Sequence, residues 1–233
     1  MSLPTPDDTI LTHKEKLMIK RILITEDHSV VRLGIVLLVK DLFTNAEIKE
    51  ADTFDAALAH LDGEPIDLMI LDVNIPGGGN TGMIEVARFR QPKIRILIFS
   101  AYNEKLYALR FIKEGANGYI SKDAGQEEIK KAILTVLGGN TYMSNEVQAD
   151  LIASMQTNKA GAGDEILSLS NREIEIAELL IRGFSTNMIA EKLHLQKSTV
   201  STHKANIFEK MNVENIPDLA VKAGRYFEER NTH

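Results

Sequence analysis

Asp67-Leu-Met-Ile-Leu-Asp72 is the stretch on which the fold turns. An apolar run of this length, closed by an acid, reads as a buried strand with a carboxylate at its C-terminal end. That end is where open parallel α/β sheets hold their ligands, so Asp72 is a candidate nucleophile or metal ligand. Three other runs end on chemically matching groups: Arg21-Ile-Leu-Ile-Thr25 leads into Glu26 and Asp27, Ile94-Arg-Ile-Leu-Ile-Phe99 into Ser100, and Gly118-Tyr-Ile-Ser121 into Lys122. Carboxylates, a hydroxyl and an ammonium together suit a site for Mg²⁺ and a phosphoryl group.

Around this run, the pattern up to about Leu137 alternates between short apolar strands and helix-length segments. The strands are Arg21–Glu26, Glu47–Ala51, Asp67–Asp72, Ile94–Ser100 and Gly118–Ser121. Between them, Ser29–Asp41, Thr53–Leu61, Gly82–Arg90, Glu104–Glu114 and Gln126–Leu137 carry a period near 3.6. This alternation predicts an α/β fold with a five-stranded, doubly wound parallel sheet. From Gly138 to about Ser168 the pattern weakens, and Lys159-Ala-Gly-Ala-Gly-Asp164 has the composition of a flexible linker.

Only helical patterns follow: Ser170–Gly183, Thr186–Leu193, Ser198–Met211 and Pro217–Phe227. Ser170 with Glu173 makes a capping box, Gly183 a helix stop, and Pro217 suits a first helical position. The expected organisation is an α/β domain over residues 1–138 with its core from about 20, a linker over 139–167, and a small all-α four-helix domain over 168–233.

Composition narrows the function. The 233 residues are 44% apolar, enough for two folded cores, and contain no Cys, which excludes disulfides, thiolate catalysis, zinc fingers and iron–sulfur clusters. Neither a signal sequence nor a run of the roughly 20 apolar residues of a membrane span is present. The expectation is a cytoplasmic protein with a disordered N-terminal tail and no membrane partner. The net charge of −6 is uneven: residues 1–150 hold 17 Lys/Arg against 22 Asp/Glu, and 151–233 hold 10 against 11. Any nucleic-acid affinity of the second part must therefore come from a local face, helped by dimerisation.

An aspartate carboxylate is a weak nucleophile, so attack on phosphorus needs charge neutralisation more than a base. A Mg²⁺ held by Asp27, Asp72 and water, with Glu26 placing the water and Asn74 lending a backbone carbonyl, would screen the incoming phosphate. Lys122 would pair with one phosphoryl oxygen and Ser100 donate to another. Each group alone has a plainer reading, as a loop cap or surface charge; four of them on four strand ends of one sheet argue for a site. Gly77-Gly-Gly79 is followed by no Lys-Ser/Thr pair, which excludes a Walker loop, and His28 has no partner at metal-ligand spacing and reads as a helix-start or surface residue.

In the helical part, Phe184-Ser-Thr-Asn-Met-Ile-Ala-Glu-Lys-Leu193 reads as a short helix with Ile189, Ala190 and Leu193 inward, then a turn His194-Leu-Gln-Lys197, then a second helix. Val200, Ile207 and Met211 face inward on the latter, with His203 partly covered. Ser198, Ser201, Thr202 and Ala205 face outward beside Lys197 and Lys204, the arrangement of a helix-turn-helix whose second helix enters a major groove. Lys197, Ser198, Thr199, Ser201, Thr202 and Lys204 are the candidate DNA-binding residues. Composition alone would serve equally for a helical bundle that binds protein.

Ile24-Thr-Glu-Asp-His28, Leu71-Asp-Val-Asn-Ile-Pro76, Ser100-Ala101 and Gly118-Tyr-Ile-Ser-Lys122 resemble the receiver domain of bacterial two-component response regulators, over roughly residues 20–138. The segments Leu169-Ser-Asn-Arg-Glu-Ile-Glu-Ile and Ser198-Thr-Val-Ser-Thr-His-Lys-Ala-Asn-Ile-Phe-Glu-Lys-Met-Asn-Val213 resemble the LuxR-type DNA-binding domain, over roughly 168–228. The whole is similar to a response regulator of the NarL/FixJ class.

That resemblance implies a flavodoxin-like receiver and a transcription regulator in which Asp72 accepts phosphate from a sensor histidine kinase, Glu26 and Asp27 bind Mg²⁺, and Ser100, Lys122 and Tyr119 transmit the change. It also implies a homodimer when phosphorylated, double-stranded promoter DNA and RNA polymerase as partners, and no catalysis beyond phosphorylation and dephosphorylation at Asp72. The loop Pro76–Gly82 is about two residues longer than the family's usual one. Asp123 follows Lys122 where many receivers have Pro, and Ser201 stands where many relatives carry Lys. The rival in the enzyme class, a Mg²⁺-dependent hydrolase with an Asp nucleophile, lacks a general acid two residues after Asp72, where Asn74 stands.

Overall fold

The computed structural model describes residues 20–78, 82–149, 166 and 168–227. The first unit alternates β1 (Arg21–Thr25), α1 (Ser29–Leu42), β2 (Glu47–Ala51), α2 (Phe54–Leu61), β3 (Leu68–Leu71), α3 (Gly82–Arg90), β4 (Arg95–Ser100), α4 (Glu104–Lys113), β5 (Gly118–Ser121) and α5 (Gln126–Leu137). Its strands form one sheet in the order β2-β1-β3-β4-β5, parallel throughout. The apolar run of β3 is buried along its whole length, as a central strand covered by helices on both faces requires. β2, at the edge, carries Glu47, Lys49 and Glu50, charges that blunt pairing with another chain.

Strand order reverses between β1 and β3, the switch point at which such sheets open a crevice. Register sets what lies there. Thr25 pairs with Leu71, so Glu26 and Asp72 leave the sheet side by side, fastened by the Asp72 N–H donating to the Thr25 carbonyl at 2.9 Å. Ser100 pairs with Ser121, and the Lys122 N–H donates to the Ser100 carbonyl at 2.8 Å.

Gly118 begins β5 because nothing larger fits. A Cβ there would lie 2.8 Å from Val136 Cγ2 and 3.0 Å from Leu97 Cδ1. Tyr142 lies against the same glycine; its N–H donates to the Asn117 carbonyl and its carbonyl accepts from the Tyr119 N–H, both at 3.0 Å. The stretch after Leu137, read from sequence as the start of a linker, thus begins by packing on the β5 edge, and the first unit ends at Ala149. Residues 145–149 are helical. The tail over residues 1–19, the linker stretch Lys159–Asp164 and the loop residues 79–81 lie outside the described residues.

The second unit comprises α6 (Asn171–Ile181), α7 (Thr186–Lys192), α8 (Lys197–Lys210) and α9 (Ile216–Phe227). Ser170 caps α6 from outside the helix rather than starting it: its hydroxyl accepts from Glu173 N–H, and the Glu173 carboxylate accepts from Ser170 N–H at 2.6 Å. Gly183, at φ 84°, takes the left-handed conformation that ends α6. α9 starts at Ile216, one residue before Pro217, because the Asn215 side chain accepts from Asp218 N–H at 2.8 Å and supplies the cap. Pro217 still falls in the first turn, where its missing N–H costs nothing.

Ile174, Ala177, Leu180, Ile189, Val200, Ile207, Met211 and Leu219 fill the core. Lys210 Nζ donates to Glu173 Oε2 at 2.7 Å and ties α8 to the start of α6. Burial by itself would raise the Glu173 carboxyl, yet the bonds from Lys210 and Ser170 hold it below its ordinary value.

Candidate functional site

At the C-terminal ends of β1, β3 and β5, Lys122 bridges two carboxylates, with Nζ 2.7 Å from Glu26 Oε2 and 3.0 Å from Asp72 Oδ2. Both acids are 1% exposed. Burial would lower the Lys122 ammonium, but its hydrogen bonds to Glu26 and Asp72 and their charges raise it above its ordinary value, so it stays protonated. Asp27 lies further out, where the His28 ring approaches its Oδ1 at 2.7 Å and Glu26 Oε1 at 3.1 Å. Asp27 foremost, then Glu26, raises the His28 imidazole above its ordinary value.

Glu26, Asp27 and Asp72, together with His28, each offer a ligand atom within 4.8 Å of the others. Hard carboxylate oxygens at this density fit a divalent cation such as Mg²⁺, and a lysine and a histidine now sit where positive charge is needed. His28, read as a surface residue from the sequence, is 69% exposed yet engaged with both acids. The Thr25 hydroxyl, on the same strand end, is buried with no partner among the described residues.

The other expected site residues gather here as well. The Asn74 N–H donates to Asp72 Oδ1 at 3.1 Å. Ser100, fully buried, accepts at Oγ from the Tyr102 N–H at 3.1 Å. Tyr119 is already enclosed, 0% exposed, with its ring 6.0 Å from that of Phe111 and its hydroxyl donating to the Tyr102 carbonyl at 3.0 Å. Tyr102 is the residue that reading the sequence missed. Its position two residues past a strand-end serine was the available signal, and nothing in its type distinguished it.

The second constellation lies on α8. Lys197, Ser198, Ser201 and Thr202 are exposed, Thr199 and Lys204 half-buried, and Val200, Ile207 and Met211 buried, as the helical period predicts. His194, at φ 52°, makes the tight turn between α7 and α8. Thr202 Oγ1 donates to the Ser198 carbonyl at 3.1 Å, which leaves its lone pairs outward. Lys204 Nζ lies 5.2 Å from the centre of the Phe208 ring one turn on, which holds its stem against the helix. Met188 is half exposed on α7. Among the described residues no helix is long and apolar enough to cross a membrane.

An acidic crevice with a bridging lysine at the switch point, followed by a helix-turn-helix, defines a receiver joined to a DNA-binding domain. Comparison with known families agrees: residues 22–134 match the response regulator receiver domain, and residues 167–223 match the bacterial regulatory proteins of the luxR family.

The Fimbriae Z protein of Salmonella typhimurium is 34% identical over 198 residues, 85% of this chain and 93% of that protein. The oxygen regulatory protein NreC of Staphylococcus carnosus is 31% identical over 207 residues, 85% and 94% of the two chains. Among solved structures, the RcsB response regulator of Salmonella typhimurium shares the fold at 21% identity, with a TM-score of 0.55 over 89% of this chain and 98% of that one. A LuxR-family response regulator from Aurantimonas sp. is 27% identical, with a TM-score of 0.54 over 60% of this chain and all of that one.

The chain belongs to the two-component response regulators with a LuxR-type output domain. It is a phosphorylation-controlled transcription regulator that binds DNA.

Proposed function

We propose that Asp72 is the phosphoacceptor, and that a sensor histidine kinase is the donor. The observation that carries this reading is the position of Asp72 in a buried pair with Lys122, one residue beyond the sheet and beside a second buried acid. An Asp72 carboxylate oxygen forms the new bond to phosphorus as the donor's bond to it breaks; hydrolysis later returns the carboxylate and inorganic phosphate. Bound Mg²⁺, held by Glu26, Asp27, Asp72 and the Asn74 carbonyl, would supply positive charge against the phosphoryl oxygens. Lys122 supplies the fixed charge beside them, and Ser100 a hydroxyl donor. Lys122 leaves Glu26 free for the cation when it turns to the phosphoryl group.

The outer face of α1 suits the approach of a helical donor: Val30, Leu33 and Leu37, at helical spacing and starting three residues past Asp27, are 82%, 57% and 59% exposed. Beyond phosphorylation and dephosphorylation at Asp72, the protein turns over no substrate. Ser100 and Tyr119 carry the change outward. Since Tyr119 is already enclosed, phosphorylation acts by fixing that arrangement rather than by opening room for the ring.

In the phosphorylated state the chain pairs as a homodimer in the cytoplasm and reads promoter DNA through α8. Lys197 and Lys204 meet phosphates, and Ser198, Thr199, Ser201 and Thr202 the base edges and neighbouring backbone, with RNA polymerase the downstream partner. A helical unit with so little positive charge needs two copies to bind well.

The test is labelling with a small phosphodonor and Mg²⁺. The unsubstituted chain gains one base-labile phosphoryl group, and Asp72→Asn gains none. A base-labile phosphoryl group on Asp72→Asn would overturn the assignment.

A further inference from the structure

We propose that Tyr102 is a positioning residue that couples the loop after Asp72 to Tyr119. This deepens the roles given above to Ser100 and Tyr119, and rests on that reading. Tyr102 lies in the turn between β4 and α4, half-buried, and three of its polar groups reach residues on or just beyond three different strands. Its N–H donates to Ser100 Oγ, at the end of β4, at 3.1 Å. Its hydroxyl donates to Asn74 Oδ1, beyond β3, at 2.6 Å. Its carbonyl accepts the Tyr119 hydroxyl, on β5, at 3.0 Å. Asn74 in turn donates its N–H to Asp72 Oδ1 at 3.1 Å. One series of hydrogen bonds therefore runs from Asp72 through Asn74 and Tyr102 to Tyr119.

The consequence follows from what a phosphoryl group does to the near end of the series. It adds charge and acceptor oxygens beside Asp72, which draw on the Ser100 hydroxyl and the Asn74 N–H. Both residues are partners of Tyr102, so both displacements reach a single residue, and its carbonyl is what holds the Tyr119 hydroxyl. The three arms of Tyr102 are of two chemical kinds. The backbone arms to Ser100 and Tyr119 survive any side-chain change, whereas the arm to Asn74 depends on the phenol hydroxyl alone. Tyr102→Phe removes the hydroxyl of that arm and leaves the backbone arms and the ring.

Coupling of this kind differs from simple fastening of a loop in its non-additivity. With beryllofluoride plus Mg²⁺ as the phosphoryl mimic, Asn74→Ala and Tyr119→Phe each weaken half-saturation. The double variant weakens it less than the product of the two, by about threefold, in line with coupling energies between residues of one network. In a Tyr102→Phe background the same cycle closes. A cycle that shows no coupling with Tyr102 intact, or coupling that persists in Tyr102→Phe, overturns the proposal.

A second measurement needs no ligand: in 3-fluorotyrosine-labelled protein, the ¹⁹F signal assigned to Tyr119 by Tyr119→Phe shifts or broadens in Asn74→Ala, and an unchanged signal counts against Tyr102. If the unsubstituted chain takes up no beryllofluoride, the phosphoacceptor reading fails, while the fluorine signal still decides the role of Tyr102. If the mimic binds and the cycle is additive, Tyr102 alone fails.

Discussion

Replacing Lys122 by Met removes the one ammonium shared by two buried carboxylates while keeping most of the side chain's volume. The contacts at 2.7 Å to Glu26 and 3.0 Å to Asp72 are each worth about 6 kcal/mol of attraction at an effective dielectric near 20, before the cost of taking the ions out of water. Removing one partner of a buried pair costs about 3–5 kcal/mol net. The Lys122 side chain keeps 15% exposure, so water screens part of the effect and the lower end, about 3 kcal/mol, is expected. A divalent cation on the same oxygens replaces the missing charge. Urea unfolding followed by circular dichroism should show the loss in the first unit in EDTA, and recovery of most of it in excess Mg²⁺. A loss in EDTA below about 0.5 kcal/mol, the range of ordinary surface substitutions, would refute the view that Lys122 holds the two acids together.

Three further outcomes follow from other parts of the chain. Gly118→Ala places a Cβ 2.8 Å from Val136 Cγ2, so it should destabilise the first unit by about 1–3 kcal/mol in denaturant titrations. Because Lys210 and Ser170 hold the Glu173 carboxyl below its ordinary value, its contribution to the helical unit is present above the usual carboxylate range and is lost as pH falls through the folded value. Glu173→Gln should therefore lower the melting temperature of that unit at neutral pH and lose its disadvantage in acid. Lys204→Ala should weaken binding to all duplexes alike and flatten the slope of log affinity against log salt by about 0.9 for each phosphate the lysine no longer neutralises, while Thr202→Ala should mainly change sequence preference.

How far the sequence carried the reading depended on what each residue answers to. β3 could be placed because Leu68–Leu71 is apolar on both faces, a pattern that local composition alone writes down. Strand-end chemistry at Glu26, Asp72, Ser100 and Lys122 was visible for the same reason, since it needs only the strand boundary. α8 could be read down to its faces, because burial of Val200 and Ile207 follows helical period.

What escaped depends on contacts between distant segments. Tyr142 looked like the start of a linker, and only the gap left by Gly118 gives it a place on β5. Tyr102 carries no pattern of its own, and its role rests on Asn74, 28 residues earlier, and Tyr119, 17 residues later. His28 was set aside for lack of a partner at ligand spacing, yet the turn after β1 folds its ring back onto the acids immediately before it. The enclosure of Tyr119 against Phe111 is likewise a contact between separate elements.

Charge placed on Asp72 should change what α8 does on DNA. A titration of the full chain against a genomic DNA pool at fixed salt, with and without beryllofluoride and Mg²⁺ and run in parallel on Asp72→Asn, measures this. Tighter, sequence-selective binding by the unsubstituted chain is expected when the mimic is present, with no response from Asp72→Asn. Equal affinity with and without the mimic, under conditions where the mimic demonstrably occupies the site, would contradict it.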